Sequence, residues 1–144
     1  MSIAIGSDHA GFQLKQQIID FLKESNLEYK DYGCYSPERV DYPDIGIKVG
    51  QGVAYGECEH GILVCGSGIG ISIAANKVKH IRAALCTSEY HAEMARRHND
   101  ANILALGGRT TTIDIAARII DVFLNTGFEG GRHRQRVDEI ESMI

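Results

Sequence analysis

A cysteine followed by alternating glycines is the feature of this sequence best suited to chemistry. The run GILVCGSGIGISIAA, at Gly61–Ala75, passes from a short apolar stretch through Cys65 to Gly66, Gly68 and Gly70. Glycine lets the backbone approach a ligand closely, and free amides at the start of a helix favour negative charge. A thiol in such surroundings is drawn toward its thiolate form. The pattern therefore predicts a base or nucleophile beside an oxyanion site.

The loop after this cysteine does not match the common nucleotide-binding or phosphatase loops. A GxGxxG pattern that begins at Gly66 requires glycine at position 71, where the chain has isoleucine, and no Lys-Ser or Lys-Thr pair completes a Walker loop. A phosphatase loop would need arginine at that same position. A tight turn around a buried, inert Cys65 is the structural alternative.

Three more polar residues follow predicted strands. Asp8 and His9 come directly after the first apolar stretch, and Arg109 comes after the last one. Ligands of parallel sheets bind beyond the carboxyl ends of the strands. We therefore expect these side chains to share one site with Cys65, although an ion pair or a helix cap would also explain Asp8 and His9.

Two further groups have both a functional and a structural interpretation. His98 and Asn99 close a helical segment, where a histidine can act in catalysis or simply satisfy the helix dipole. Arg132 and Arg136 are one helical turn apart, which suits either phosphate capture or a solvated basic face. Tyr42 lies in a proline-containing loop and is either a lid residue or a surface aromatic residue.

Length and composition restrict the class of protein. The chain has 144 residues, with 44% hydrophobic and 24% charged residues and a net charge of −4. These values predict a single globular domain and give no indication of nucleic-acid binding. No apolar run approaches membrane-spanning length and Met1–Gly6 does not resemble a signal peptide, so a cytoplasmic location is expected. The four cysteines form no CxxC pair, which predicts free thiols and no zinc ribbon.

Hydrophobic periodicity places these residues on an alternating series of strands and helices. Strands are predicted at Ser2–Gly6, Leu27–Tyr32, Ile62–Val64, Ile81–Cys86 and Ile103–Leu106. Helices are predicted from Gly11 to about Ser25, at Asp44–Tyr55, from Ile71, after a Ser88 cap, after a Thr111 cap, and at Arg132–Ile144. This order indicates an α/β fold, a three-layer αβα sandwich with a Rossmann-like five-stranded parallel sheet.

Taken together, these stretches resemble the ribose-5-phosphate isomerase type B family. The resemblance rests on motifs that span nearly the whole chain: GSDHAGF at Gly6–Phe12, RVDYPD at Arg39–Asp44, GILVCGSGIGISIAANK at Gly61–Lys77, RRHNDANILALGGR at Arg96–Arg109 and EGGRHRQRV at Glu129–Val137. It implies a cofactor-free, metal-free isomerase of ribose 5-phosphate and ribulose 5-phosphate. It also implies a homodimer or homotetramer with sites between subunits, and contacts from the C-terminal helix at about residues 132–144.

The resemblance also implies a role for each candidate residue. Cys65 would be the base, His98 would open the furanose ring, and Asp8 and Ser67 would assist catalysis. Ser67 stands where many members have threonine, but the hydroxyl is kept. The substrate-binding set would be Asp8, His9, Tyr42, Gly66, Ser67, Gly68, Ile69, Gly70, Asn99 and Arg109, and the phosphate-binding set would be His9, Arg132 and Arg136.

The predicted topology separates two members of this set. His98 precedes the fifth strand and should lie at the amino edge of the sheet, whereas Cys65 should lie at the carboxyl edge. We therefore expect His98 to enter the site of a partner chain. Allose-6-phosphate or galactose-6-phosphate isomerase activity, a non-catalytic sugar-phosphate sensor and a cysteine hydrolase are the alternatives.

Overall fold

Five parallel strands form the centre of the fold in the computed structural model, which describes residues 1–143. The strands are β1 (Ser2–Ser7), β2 (Glu28–Asp31), β3 (His60–Cys65), β4 (Ala83–Leu85) and β5 (Ile103–Gly107), in the spatial order β2-β1-β3-β5-β4. The helices are α1 (Phe12–Glu24), α2 (Tyr42–Ala54), α3 (Ile69–Ala75), α4 (Glu89–Asn99), α5 (Ile113–Asn125) and α6 (Arg132–Ser142). The prediction of an α/β fold with a five-stranded parallel sheet is confirmed. The predicted end of the last helix at Ile144 lies outside the described residues.

Predicted boundaries differ from the observed ones by one or two residues at strand ends and at helix starts: β4, for example, is Ala83–Leu85 and not Ile81–Cys86, and α3 begins at Ile69 and not at Ile71. Helix α2 begins at Tyr42, not at Asp44, because Pro43 fits the first helical turn, where its fixed φ suits the helix and its missing N–H costs nothing. Helix α5 is preceded by Thr112, not Thr111, and has no side-chain cap. The Ser88 cap of α4 is confirmed, since Ser88 Oγ accepts a hydrogen bond from His91 N at 3.2 Å.

Two apolar cores cover the two faces of the sheet. The strands are almost continuously apolar, as a sheet buried on both faces requires. Helices α1, α4 and α5 cover one face, and Phe123 and Ile18 are fully buried there. Helices α2 and α3 cover the other, with Val49 and Ile71 among the buried residues. This arrangement is the three-layer sandwich that the strand and helix alternation predicts.

The strand order creates a switch point in the middle of the sheet. From β1 the chain passes to β2 on one side and then returns to β3 on the other. At such a point the helices after two neighbouring strands lie on opposite faces of the sheet. Their separation leaves a crevice at the carboxyl edge of the sheet. Asp8 follows β1, Gly66 follows β3 and Gly108 follows β5, so all three loops meet at this crevice. None of the helices in residues 1–143 has the length and apolar character needed to cross a membrane.

Candidate active site

An open cavity of about 600 Å³ lies at the carboxyl ends of β1, β3 and β5. Its lining contains nine of the twelve residues that the sequence predicts to contact or convert substrate. They come from the three strand-end loops and from the first residues of α2 and α3. The lining residues are Asp8, His9, Ala10, Tyr42, Cys65, Gly66, Ser67, Ile69, Gly70, Arg109 and Thr110. The sequence analysis missed Ala10 and Thr110, although Thr110 follows the same strand end as Arg109.

Cys65 lies at the floor of this cavity. The residue is only 5% exposed, yet it lines the cavity, so its thiol faces a ligand space without being open to bulk water. Its Sγ atom accepts a hydrogen bond from Gly68 N at 3.2 Å. This contact fixes the sulfur beside the loop that follows β3.

Gly68 can make that contact only because it has no side chain. Its φ is +79°, in the left-handed region that glycine adopts readily. A Cβ atom at this position would lie 2.6 Å from Leu85 Cδ1 and 2.8 Å from the carbonyl carbon of Leu106. Glycine at position 68 therefore fixes the turn that brings its amide to Cys65.

Main-chain amides near Cys65 are available to an anion. In the chain from residue 1 to 143, no hydrogen bond outside the regular strands and helices uses the N–H of Gly66 or of Ser67. Ser67 Oγ accepts a hydrogen bond from Ile69 N at 3.1 Å, which leaves its hydroxyl proton free to be donated. Helix α3 has only seven residues, so individual amides rather than a long helix dipole provide the positive potential.

The loop after β5 forms one wall of the cavity and is fastened to the cysteine loop. Gly108 N donates to Cys65 O at 2.7 Å, and Arg109 N donates to Gly66 O at 3.1 Å. The Arg109 guanidinium passes over Gly66, because a Cβ atom built on Gly66 would lie 3.3 Å from Arg109 Nη1. The exposed guanidinium of Arg109 therefore lies beside the main chain of Gly66.

The opposite wall consists of residues that follow β1 and begin α2. Asp8 Oδ1 accepts a hydrogen bond from Gly11 N at 3.0 Å, so the helix-cap interpretation of Asp8 is correct while the residue also lines the cavity. His9 Nδ1 lies 3.1 Å from Val40 O, which holds the ring in place. The Tyr42 ring packs against Gly70, where an added Cβ atom would lie 2.6 Å from Tyr42 Cζ.

A buried lysine that the sequence analysis did not select supports this wall. Lys15 is fully buried, and its Nζ atom contacts Asp31 Oδ1 at 2.7 Å and Oδ2 at 2.9 Å. It also donates to the carbonyl of Cys34, while Asp31 Oδ1 accepts from Gly33 N. The ion pair therefore holds the start of the loop that later brings Val40 to His9. A lysine between Leu14 and Ile18, on the buried side of an amphipathic helix, is the sequence signal that could have identified it.

The second group of predicted residues lies elsewhere in the same chain. The rings of His98 and His133 stack with centroids 4.2 Å apart and planes 11° from parallel. Glu129 contacts both rings, at 4.0 Å from His98 Nε2 and 3.7 Å from His133 Nε2. Burial, together with the nearby charges of His98 and Arg132, lowers the pKa of His133 below its usual value.

This second group is at the opposite edge of the sheet from Cys65. His98 and Asn99 end α4 just before β5 begins at Ile103, whereas Cys65 pairs with Gly107 at the far end of β5. Arg132 and Arg136 start α6 beside them, and both are exposed. None of His98, Asn99, Arg132 and Arg136 lines the cavity that contains Cys65. The predicted separation of His98 from Cys65 within one chain is confirmed.

Comparison with known proteins matches nearly the whole chain to a single protein family. Residues 3–140 match the family model described as Ribose/Galactose Isomerase. The chain is 48% identical to the ribose-5-phosphate isomerase B of Escherichia coli over 141 residues, which are 98% of this chain and 95% of that protein. It is 42% identical to the D-erythrulose-4-phosphate isomerase of Pectobacterium atrosepticum over 97% of this chain and 93% of that one. The solved structure of Clostridium thermocellum ribose-5-phosphate isomerase B has a TM-score of 0.98 and 55% identity, covering 99% of this chain and 97% of that one.

Proposed function

The chain belongs to the ribose/galactose isomerase family and is therefore an aldose–ketose isomerase of sugar phosphates, and we propose that it interconverts ribose 5-phosphate and ribulose 5-phosphate. The observation that carries this proposal is the position of Cys65, which lines a cavity while its Sγ atom accepts the Gly68 amide at 3.2 Å. A cysteine sulfur held beside main-chain amides is what proton transfer through an enediolate needs.

Cys65 is the base in this proposal. With the sugar in its open-chain form, the thiolate removes the proton from C2, and the electron pair forms the C1–C2 double bond while negative charge moves to O1. The resulting thiol returns that proton to C1, which generates the C2 ketone. Ser67 relays the hydroxyl proton from O2 to O1. The overall reaction therefore moves one hydrogen from C2 to C1 and one from O2 to O1, with no net gain or loss of protons.

Main-chain donors stabilise the charge that develops on the enediolate oxygens. Within residues 1–143, no hydrogen bond outside the regular strands and helices uses the amides of Gly66 and Ser67, so they are available for this purpose. The loop Gly66–Gly70 would surround the reacting end of the sugar. Donors of this kind contribute about 10²–10³ in rate when they are aimed at the developing charge. Asp8, His9, Tyr42 and Arg109 contact the sugar hydroxyls from the two walls of the cavity.

Ring opening and phosphate binding require groups that one chain does not bring to its own cavity. We place His98 of a partner chain at the furanose ring, where it gives a proton to the ring oxygen as the ring opens. Asn99 would bind a sugar hydroxyl, and Arg132 and Arg136 would bind the phosphate together with His9. The support for a shared site is that His98 and Cys65 lie at opposite edges of one sheet. The start of α6 would then lie at the interface of a homodimer or homotetramer.

The other candidate substrates differ from ribose 5-phosphate in the number of carbon atoms. A related chain named D-erythrulose-4-phosphate isomerase is 42% identical to this one, so a four-carbon ketose phosphate is a second candidate. Allose 6-phosphate and galactose 6-phosphate are the six-carbon candidates. We also propose a cytoplasmic location, as expected for metabolism of such sugar phosphates.

A direct comparison of sugar phosphates tests the proposal. The purified protein is assayed with ribose 5-phosphate, erythrulose 4-phosphate, allose 6-phosphate and galactose 6-phosphate, and each assay is repeated with Cys65→Ala. We expect the highest kcat/KM for ribose 5-phosphate and its loss in the variant. A higher kcat/KM for another sugar would replace the proposed substrate, and tight binding without turnover would indicate a sensor.

A further inference from the structure

Three potential metal ligands converge where α4 ends and α6 begins. One donor atom each from His98, Glu129 and His133 lies within 4.8 Å of the other two. Glu129 is positioned by its backbone, because its N–H donates to Arg97 O at 3.0 Å. The carboxylate lies beside the stacked imidazoles and contacts each of them through a different oxygen atom.

An unpartnered nitrogen in this cluster independently indicates a ligand. The His133 side chain is only 5% exposed, and its Nε2 atom has no hydrogen-bond partner within the described part of the chain. Buried polar atoms normally have partners, because leaving one unsatisfied costs about 1–3 kcal/mol. This nitrogen points toward Glu129, which at 3.7 Å is too distant for a hydrogen bond but close enough to share a bound cation.

The donor types restrict the kind of cation. Two imidazole nitrogens and one carboxylate oxygen form a ligand set that suits Zn²⁺ and neighbouring transition metals better than Mg²⁺ or Ca²⁺. Tetrahedral ligation at about 2.0–2.2 Å would place the donors about 3.3 Å apart, so the cluster must contract. Glu129 and His98 can make this movement because both are partly exposed.

We propose that His98, Glu129 and His133 bind one Zn²⁺-class divalent cation, and that the bound cation inhibits the isomerase. The inhibition rests on the proposed function, because it acts through His98, the group assigned to ring opening. A cation bound to His98 Nε2 takes the place of the proton on that nitrogen. His98 then has no proton there to give to the ring oxygen of the furanose. Arg132 and Arg136 add positive charge beside His133, and this charge opposes the binding of a cation.

A binding measurement tests the site without any reference to activity. The protein is stripped with a chelator and titrated with Co²⁺, whose visible absorption is intense in tetrahedral sites. We expect saturation at one equivalent per chain, with affinity reduced about tenfold or more in Glu129→Gln and in His133→Gln. Glu139→Gln, which changes an exposed carboxylate elsewhere on α6, is the matched control and should bind Co²⁺ like the native protein.

The spectrum also distinguishes this site from the cysteine. Binding at Cys65 would add an intense sulfur-to-cobalt band in the near ultraviolet, and that band would overturn the proposal. An absence of visible absorption, or equal affinity in Glu129→Gln and the native protein, would also overturn it.

Inhibition is then measured as a separate property. Zn²⁺ is added to the native enzyme during turnover of ribose 5-phosphate, and each protein is compared with its own metal-free rate. We expect inhibition that a chelator reverses and that Glu129→Gln resists at least tenfold. Binding without inhibition would overturn the regulatory part of the proposal. If no sugar phosphate is converted but Co²⁺ still binds, the proposed function fails and the metal site stands.

Discussion

Cys65 Sγ lies 3.2 Å from Gly68 N, and this single contact joins the strand end to the loop that follows it. The sulfur is almost completely shielded from solvent, but it borders the cavity, and the amide that reaches it belongs to a residue with φ +79°. The thiol is thus held by the same turn that exposes the amides of Gly66 and Ser67. Base and oxyanion donors are therefore built from one short segment of the chain.

Removal of the thiol should abolish most of the activity. We expect Cys65→Ala to lower kcat by about 10²–10⁴, the range typical for loss of a general base, with a much smaller change in KM. Steady-state kinetics with ribose 5-phosphate measures both values. Cys86→Ala is the matched control, because Cys86 is buried in the core and burial raises its pKa to about 12. Retention of native kcat in Cys65→Ala would contradict the assignment of Cys65 as the base.

Complementation between two inactive variants tests the shared site. Cys65→Ala and His98→Ala are each expected to be inactive alone, because each lacks one required group. In a mixed dimer one site carries both changes and the other carries neither, so random mixing should restore about one quarter of native activity. The mixture is denatured, refolded together and assayed beside each variant treated in the same way. Complete absence of recovery, with mixed dimers confirmed by differently tagged chains, would contradict a site that spans two subunits.

Phosphate binding by α6 should appear in KM more than in kcat. Arg136→Ala should raise KM about tenfold or more, since hydrogen bonds to charged groups contribute about 1.5–3 kcal/mol. The phosphate is remote from C1 and C2 and keeps its charge throughout, so the interaction is similar in ground and transition states. Arg118→Ala removes another exposed arginine, on α5, and should leave both constants unchanged. A fall in kcat with constant KM would assign Arg136 a different role.

A half-buried histidine should make the fold less stable at mildly acidic pH. Burial and the charge of Arg96 lower the pKa of His60 in the folded protein, so the unfolded chain binds a proton more readily. The stabilisation is complete above the unfolded pKa of about 6.5 and declines as pH falls below it. His60→Gln should therefore reduce the loss of thermal stability between pH 7 and pH 5, measured by calorimetry. An equally steep loss in the variant would show that other groups cause it.

The parts of the site that were predictable from sequence depend on local pattern. Strand ends can be recognised from apolar runs, and parallel strands bring their carboxyl ends to one edge, so Asp8, Cys65 and Arg109 were expected to meet, and they do. The separation of His98 from Cys65 follows from the same reasoning, because a residue before β5 lies at the other edge.

The parts that were missed depend on contacts between residues distant in sequence. The pairing of Lys15 with Asp31 needs the register of β2 beside β1, and the cluster of His98 with Glu129 and His133 needs the packing of α6 against α4. The hydrophobic periodicity of the sequence indicates strands and helices, but it does not show which strands pair in which register or which helices pack together. The early start of α2 at Tyr42 was missed because Pro43 was treated as a loop residue rather than as a first-turn residue.

Loss of the buried Lys15–Asp31 pair should destabilise the fold and loosen one wall of the site. We expect Lys15→Met to lower the free energy of unfolding by about 3 kcal/mol, because it leaves a partly buried carboxylate and the Cys34 carbonyl without their cation. Urea denaturation measures this change, with Lys30→Met as the control, since exposed pairs such as Lys30–Glu57 contribute at most about 1 kcal/mol. KM should also rise at a temperature where Lys15→Met is fully folded, because the loop from Gly33 carries Val40 to His9. Lys15→Met with native stability and KM would show that apolar packing alone holds this loop.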